Sequence, residues 1–483
     1  MIFCAMLSEI GSRFPSNPIQ IFACLSVGAL LTVILYRLYR LTISLNSNVI
    51  RIAPNHLHIN DLDFHYKILK LNSDYLKDPE FYEKLGVPDA LGTICDPHKH
   101  RILRRRVNPL FSQQAVNQMA GDIQATIKHA CDMISDNFDA QSFFRAIAGD
   151  IVSAHYFGEN MNLVDRPEYA RNLWDGIDTM VRQMWYSIHI PYLASILVNM
   201  PIIVLKISFP GFAGLIEVCM RQAEKAIERN RTKSPSPENH NIATFFDLLM
   251  IPSPGQEPVH LSQNDMVNHG LNLVGAGVDT VSLTMTVALY HILSFPEIQR
   301  QVYCEAREAT PFIRDKLDTQ RVRTLPYLAA VIKEALRMYP PVPGRLPRIV
   351  PPQGKSYDGK FIPGGTVVSI SPYTIQRDPV LFPEPNFFKP ERWLADNTTE
   401  LERAVIAFSS GSRMCPGIHL AYLEMHMTLA MLFSRFVLEL ESPLPMQELD
   451  WKDHFVIDLD HPVKVRVLAD YWTGDKGRTG LPA

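Results

Sequence analysis

Apolar residues run along this chain in several rhythms, and each rhythm predicts a different kind of element. From Ile19 to Tyr36 the stretch IQIFACLSVGALLTVILY carries no charge over 18 residues, about 27 Å as a helix and close to the thickness of a bilayer core. It predicts one membrane-crossing anchor over 19–39, preceded by a lumenal stretch 1–18. Arg37 and Arg40 follow the run at once, so the positive-inside rule places the rest in the cytosol. A cleaved signal peptide would instead carry its basic residues ahead of a shorter run. Val49–Asn60 alternates β-branched and polar residues about a Pro-Asn pair, which predicts a hairpin. Nearly everything between Asp96 and Tyr339 has helical spacing. The longest helix opens at Ser262, with Asp265 completing a capping box, and runs to about Leu293 before Pro296 stops it. At about 48 Å it is long enough to form a spine across the domain. Strand signals return around glycine turns in 354–371. The pattern predicts a mainly α domain over 49–483 with small β-sheets assembled from distant segments, joined to the anchor by a short linker 40–48.

Composition narrows the function classes. Hydrophobic residues at 47% and charged residues at 20% exclude general disorder and a many-pass membrane protein. The net charge of -3 gives no global drive toward nucleic acid, and no nucleic-acid partner is expected. The seven cysteines are scattered and contain no CxxC pair, which argues against a disulfide framework or a zinc finger and for a reducing compartment.

Four motifs carry candidate chemistry. Phe408-Ser409-Ser410-Gly411-Ser412-Arg413-Met414-Cys415-Pro416-Gly417 fits FxxGxRxCxG at every fixed position. A glycine turn there lets backbone N–H groups approach a thiolate, and Pro416 suits the first turn of a following helix whose dipole favours the anionic sulfur. Ala276-Gly277-Val278-Asp279-Thr280 lies inside the long helix, where Gly275 and Gly277 each cost about 1 kcal/mol relative to alanine. They mark either a groove beside Thr280 or a crossing where small residues admit a neighbouring helix. Glu334 and Arg337 stand at i and i+3 on one helix face. In His98–Arg106, HKHRILRRR, His100 and Arg104 share a face at i, i+4, while a basic run by itself fits a solvated surface equally well.

Together these motifs resemble the cytochrome P450 family. The resemblance extends over 49–468, and the texture of VIRIAPNHLHI, PPVPGRLPRIVP and FFKPERWL is most similar to fungal microsomal enzymes of secondary metabolism such as trichodiene oxygenases. It implies a P450 fold behind a single N-terminal transmembrane helix and a haem b whose iron takes Cys415 as axial thiolate within the Phe408, Gly411, Arg413, Cys415, Gly417 loop. His100, Arg104, Arg348 and Arg413 are then expected to meet the haem propionates. Asp279 and Thr280 are expected to serve oxygen activation, with Asp279 linked to solvent. Glu334, Arg337 and Arg392, the last from Pro390-Glu391-Arg392-Trp393, are expected to form a buried triad that fixes the cysteine loop.

The implied activity is insertion of one oxygen atom from O2 into a lipophilic small molecule, a terpenoid or another fungal metabolite. Electrons would come from NADPH through a membrane-bound P450 reductase at the endoplasmic reticulum. Arg101, Arg105 and Arg106, left on the outside of their helix, are the expected docking patch for that acidic partner, though a solvated face explains them nearly as well. The apolar stretch 184–214 is either an entrance for substrate near membrane lipid or ordinary helix core. A haem-thiolate isomerase or dehydratase is the competing enzyme class, and it has no need of Asp279 and Thr280. A folding-impaired haem protein is the non-catalytic alternative, because residues 40–48 leave no room for the hinge and first helix that microsomal relatives place there.

Overall fold

The structure, a computed structural model, describes residues 48–189, 200–232, 244–250, 261–309, 319–442 and 449–472. The expected anchor 19–39, the linker 40–48 except for its last residue, and the middle of the apolar stretch 184–214 lie outside the described residues.

The expected hairpin forms as β1 (Val49–Ala53) and β2 (His56–Ile59), antiparallel with a register shift between Arg51 and Ala53. They open a five-stranded sheet with β3 (Leu76–Lys77), β5 (Arg348–Ile349) and β8 (Val367–Ser369), in the order β1-β2-β8-β5-β3. Only β2 and β8 run parallel in that sheet. A second sheet joins β4 (Asn137–Asp139), β12 (Lys464–Asp470) and β9 (Phe436–Leu440), with β12 in the middle. Two hairpins complete the β structure: β6 (Lys355–Tyr357) with β7 (Lys360–Ile362), turning at Asp358-Gly359, and β10 (Trp451–His454) with β11 (Val456–Leu459).

The helices that position the site are α1 (Leu62–Leu69), α2 (Pro97–Val107), α3 (Gln113–Asp132), α4 (Ala140–Val152), α5 (Arg171–His189), α6 (Pro210–Thr232), α7 (Gln263–Ser294), α8 (Pro326–Met338) and α9 (Ile418–Arg435). The predicted spine is α7. Its capping box is complete: the Asp265 N–H donates to Ser262 Oγ at 3.1 Å and the Ser262 N–H to Asp265 Oδ2 at 2.8 Å. Phe295 and Pro296 end it. Among the described residues α7 alone is long and apolar enough to cross a membrane, but two-thirds of its most apolar window is buried inside the domain. It is a core helix, packed most extensively on α4 and also on α6, α8 and α9.

One hydrophobic core extends from α2 through α3, α4 and α7 to α9. A smaller one, with Phe64, Ile68 and Val368, lies under the five-stranded sheet. A cavity is left between α7 and α9.

Candidate functional site

Cys415 sits three residues before α9, at one side of a cavity of about 230 Å³. Thr280, Val281, Thr284 and Ala276 line it from α7, and Phe408, Ser409 and Arg413 from the cysteine loop. The loop is locked by backbone geometry. The Cys415 N–H donates to the Phe408 carbonyl at 2.9 Å and the Ser409 N–H to Ile406 at 2.9 Å. Gly411 adopts φ 65°, and a Cβ there would lie 1.6 Å from the Leu69 carbonyl oxygen, so only glycine lets the loop rest on the end of α1. Gly417 faces the sulfur, with its Cβ direction 3.9 Å from Sγ. Burial raises the Cys415 thiol pKa, while the Gly417 N–H and the Arg104 guanidinium act the other way. A bound cation would complete what those two groups begin.

Part of the cavity lining is basic: Lys77, Arg348 and Arg413. Arg348 donates to the Tyr82 hydroxyl at 2.7 Å, and Arg413 donates to the Ile94 carbonyl at 2.8 Å. Burial, and then Arg348, pull the Arg413 pKa down to about 10. His100 is buried, and burial with Arg413, Lys77 and Arg104 nearby depresses it to about 3. Arg104 is half-buried, its pKa lowered by burial, and neither it nor His100 makes a side-chain hydrogen bond among the described residues. All four sequence-predicted propionate partners therefore converge.

A further basic residue, Lys77, was missed. It is buried on β3, lies 4.2 Å from the Tyr82 ring centroid, and donates to the Gly92 carbonyl. Burial together with Arg348 and Arg413 drives its pKa well down. No sequence pattern marks a single lysine in a two-residue strand. Lys77, Arg348 and Arg413 line the cavity with His100 and Arg104 near them, and no carboxylate is among the lining residues. That imbalance fits a group bringing two carboxylates, as haem does through its propionates.

The expected triad is present, with Glu334 and Arg337 fully buried and Arg392 partly so. Glu334 accepts from Arg337 Nε and Nη2, both at 2.8 Å, from Arg392 Nε at 3.1 Å, from Trp393 Nε1 at 3.0 Å and from the Lys389 N–H at 2.9 Å. Arg337 passes on to the carbonyls of Gln376 and Pro385. Gln376, also unforeseen, closes the chain: its amide donates to Leu336 and Arg337 carbonyls, and its Oε1 accepts the Ile406 N–H at 2.7 Å, two residues before Phe408. The carboxylate is thus wired to the cysteine loop.

On α7 the two glycines divide the readings between them. A Cβ on Gly275 would meet open space, whereas one on Gly277 would come 3.0 Å from Val152 of α4. Gly275 leaves the groove and Gly277 admits the neighbour. The Thr280 hydroxyl lines the cavity and donates to the Ala276 carbonyl at 2.7 Å. Asp279 is partly buried and paired with Arg145 of α4, 3.0 Å away, and Arg145 in turn makes two bonds to Asp178 of α5 at 2.8 and 2.7 Å. Burial outweighs Arg145 and raises the Asp279 pKa to about 6.

The basic run needs one correction. Arg101 and Arg105 are exposed, but Arg106 is buried and donates to the Leu249 carbonyl at 2.6 Å, so it is a core residue and no part of an outer patch.

This arrangement defines a haem-thiolate protein, and the chain belongs to the cytochrome P450 family, whose model matches residues 55–458. It is 38% identical over 437 residues to cytochrome P450 monooxygenase aneF of Aspergillus aculeatus, covering 89% of this chain and 88% of the relative. It is 33% identical to cytochrome P450 monooxygenase ankB of Aspergillus thermomutatus, covering 88% and 82%, and 32% identical to cytochrome P450 monooxygenase cloA of Claviceps purpurea, covering 89% and 84%. The fold is that of the cytochrome P450DA haem domain, with a TM-score of 0.69 at 18% identity over 90% of this chain and 91% of that one. The protein is a P450 monooxygenase.

Proposed function

We propose that this monooxygenase oxidises a lipophilic small molecule of fungal secondary metabolism, a terpenoid or other metabolite, by hydroxylation or epoxidation, at a haem held by Cys415. When bound, the haem supplies the reduction of O2 and the transfer of one of its oxygen atoms to an unactivated carbon. The observation that carries the reading is that Cys415, from the loop before α9, and Thr280, from α7, face one cavity that Lys77, Arg348 and Arg413 also line without a carboxylate.

Cys415 would ligate the haem iron as a thiolate, supported by the Gly417 N–H. Lys77, His100, Arg104, Arg348 and Arg413 would hold the carboxylates of the haem. Thr280 presents a hydroxyl on the substrate side, and Asp279 with Arg145 holds a titratable proton one residue away. The triad keeps the cysteine loop in register more than it adds stability.

Exposed Arg101 and Arg105 suit encounter with an acidic NADPH-P450 reductase. Ile203, Val204 and Ile207, all exposed on the short helix Ile202–Ser208, suit contact with the endoplasmic reticulum membrane beside the anchor. The test is a reduced carbon monoxide difference spectrum of the protein expressed in microsomes. Thiolate ligation gives a band near ~450 nm, and Cys415→Ala is expected to abolish it. A wild-type protein that loads haem without that band, or a variant that keeps it, overturns the assignment.

A further inference from the structure

Beyond the haem cavity, and sharing Ala276, Thr280, Val342 and Phe455 with it, lies a second cavity of about 230 Å³. It is the space a substrate would occupy under the reading above, and the inference rests on that reading. Its charged lining is already paired: Arg145 holds Asp178 and Asp279, and Arg182 holds Asp458. A polar handle for a substrate must therefore come from an uncharged group.

Asn272 lies on α7, about two turns before Thr280, and lines the cavity. Its Oδ1 accepts the Gly92 N–H at 3.0 Å. A backbone N–H only donates, so the oxygen end of the amide must face Gly92, and the Nδ2 group is left with two donors to place. Nδ2 makes no hydrogen bond among the described residues. Asn268, one turn earlier, is used the other way: its Nδ2 donates to the Pro88 carbonyl at 3.1 Å. The Gly92 peptide is itself fixed from its other end, since Lys77 donates to its carbonyl. A Cβ on Gly92 would come 2.8 Å from Asn272 Nδ2, so glycine is what lets the amide lie against the peptide. The amide is thus oriented before any ligand arrives, as a directional contact requires.

Between Asn272 and Thr280 the helix is bare on the cavity side. Residues 272, 276 and 280 follow at i, i+4 and i+8, about 12 Å in all. Ala276 is exposed, and a Cβ on Gly275 would meet open space. An apolar frame can lie along this stretch with one end at the amide and the other beside Thr280.

We infer that Asn272 determines specificity by donating a hydrogen bond to an acceptor oxygen, a carbonyl or ether, at the end of the substrate remote from the carbon that is oxidised. Gln141, the other uncharged amide of the lining, makes no side-chain hydrogen bond among the described residues and so has no fixed direction.

Equilibrium dialysis of the ferric, haem-loaded full chain tests this with a shape-matched pair: 4-phenylcyclohexanone and (4-methylidenecyclohexyl)benzene, in which a CH2 group replaces the carbonyl oxygen. Without a donor in the cavity the ketone forfeits its hydrogen bonds to water and binds the weaker of the two. With Asn272 in place, wild type is expected to bind the ketone at least as tightly as the alkene. Asn272→Leu should weaken the ketone about tenfold relative to the alkene. Asn272→Asp keeps an acceptor for the Gly92 N–H but turns the donor into a second acceptor. It should weaken the ketone likewise and shift the preference toward trans-4-phenylcyclohexanol, a response that mere loosening of the Gly92 segment would not give. A cooperative thermal melt identifies a folded variant. A wild type that favours the alkene, or a ketone-to-alkene ratio unmoved in a folded variant, overturns the inference. A wild type that loads haem without the carbon monoxide band would instead overturn the monooxygenase reading, and the dialysis would still report the ketone preference.

Discussion

Glu424 on α9 is 1% exposed, and neither of its carboxylate oxygens has a hydrogen-bond partner among the described residues. Burial alone pushes its pKa well above the usual carboxylate range. The folded state therefore holds a proton that the unfolded chain releases, and the stability this confers is complete below the ordinary glutamate range and is lost as pH rises toward the folded value. Glu424→Gln keeps the neutral shape, so wild type and variant should unfold together near pH 5. By pH 8 the variant should lead by on the order of 1–3 kcal/mol, read from denaturant melts at the two pH values; a constant gap between them would mean that Glu424 is ionised throughout.

Lys77 gives a second prediction at this scale. If it faces a propionate, Lys77→Met should fold yet release haem roughly tenfold faster, the worth of one charge-assisted bond. Haem transfer to an acceptor globin measures this, and an unchanged rate would remove Lys77 from the site. The sequence carried Cys415, Arg413, Glu334 and Arg337 legibly because each stands at a fixed spacing within a short motif. Lys77 and Gln376 were illegible because their partners, Gly92 and Ile406, belong to other segments, and only the fold brings them together. Arg106 was misread although a signal existed: it follows buried Ile102 by four positions and buried Leu103 by three, and so shares their inward face.

At the scale of elements, α7 was readable nearly to the residue, because a capping box and a proline bound a long apolar run. The small strands were not: β3 and β5 are two residues each, too short for alternation to show, and they exist because β8 offers a neighbour. The α7 glycines make a paired prediction. Gly275→Ala adds a methyl into open space and removes the helical penalty, so stability should rise by up to about 1 kcal/mol, while the substrate cavity shrinks and ligand affinity changes. Gly277→Leu drives a side chain into Val152 and should cost about 1–3 kcal/mol. Thermal unfolding of the two variants should move in opposite directions; a shared direction would mean that the α4–α7 crossing does not depend on the glycine.

At the scale of the whole molecule, buried neutral histidines set the acid limit. Burial lowers His65 and His269 to about 4 and His100 and His291 to about 3. These four lie on three elements. His65 sits on α1 behind the cysteine loop, His100 in the cationic corner, and His269 and His291 toward opposite ends of α7. In each case the unfolded chain takes up a proton near pH 6.5 that the folded chain refuses, so the stability they confer is present above that range and falls as pH drops toward the folded values. Three of them also face fixed positive charge, Arg348 for His65, Arg413 for His100 and Arg377 for His291, so the molecule cannot accommodate the proton by a local shift. Unfolding below pH 6 should therefore be cooperative and coupled to uptake of more than one proton, with a steep fall in melting temperature between pH 6.5 and 4.5. His291 isolates one contribution. Its ring lies between Phe388, centroids 4.1 Å apart, and Phe295, 6.1 Å apart, both nearly parallel to it, and neither ring nitrogen has a partner among the described residues. His291→Phe preserves the stack and removes the titration. Its melting temperature should match wild type at pH 7.5 and fall less steeply on acidification; parallel curves for the two proteins would show that His291 is not among the groups through which acid unfolds the fold.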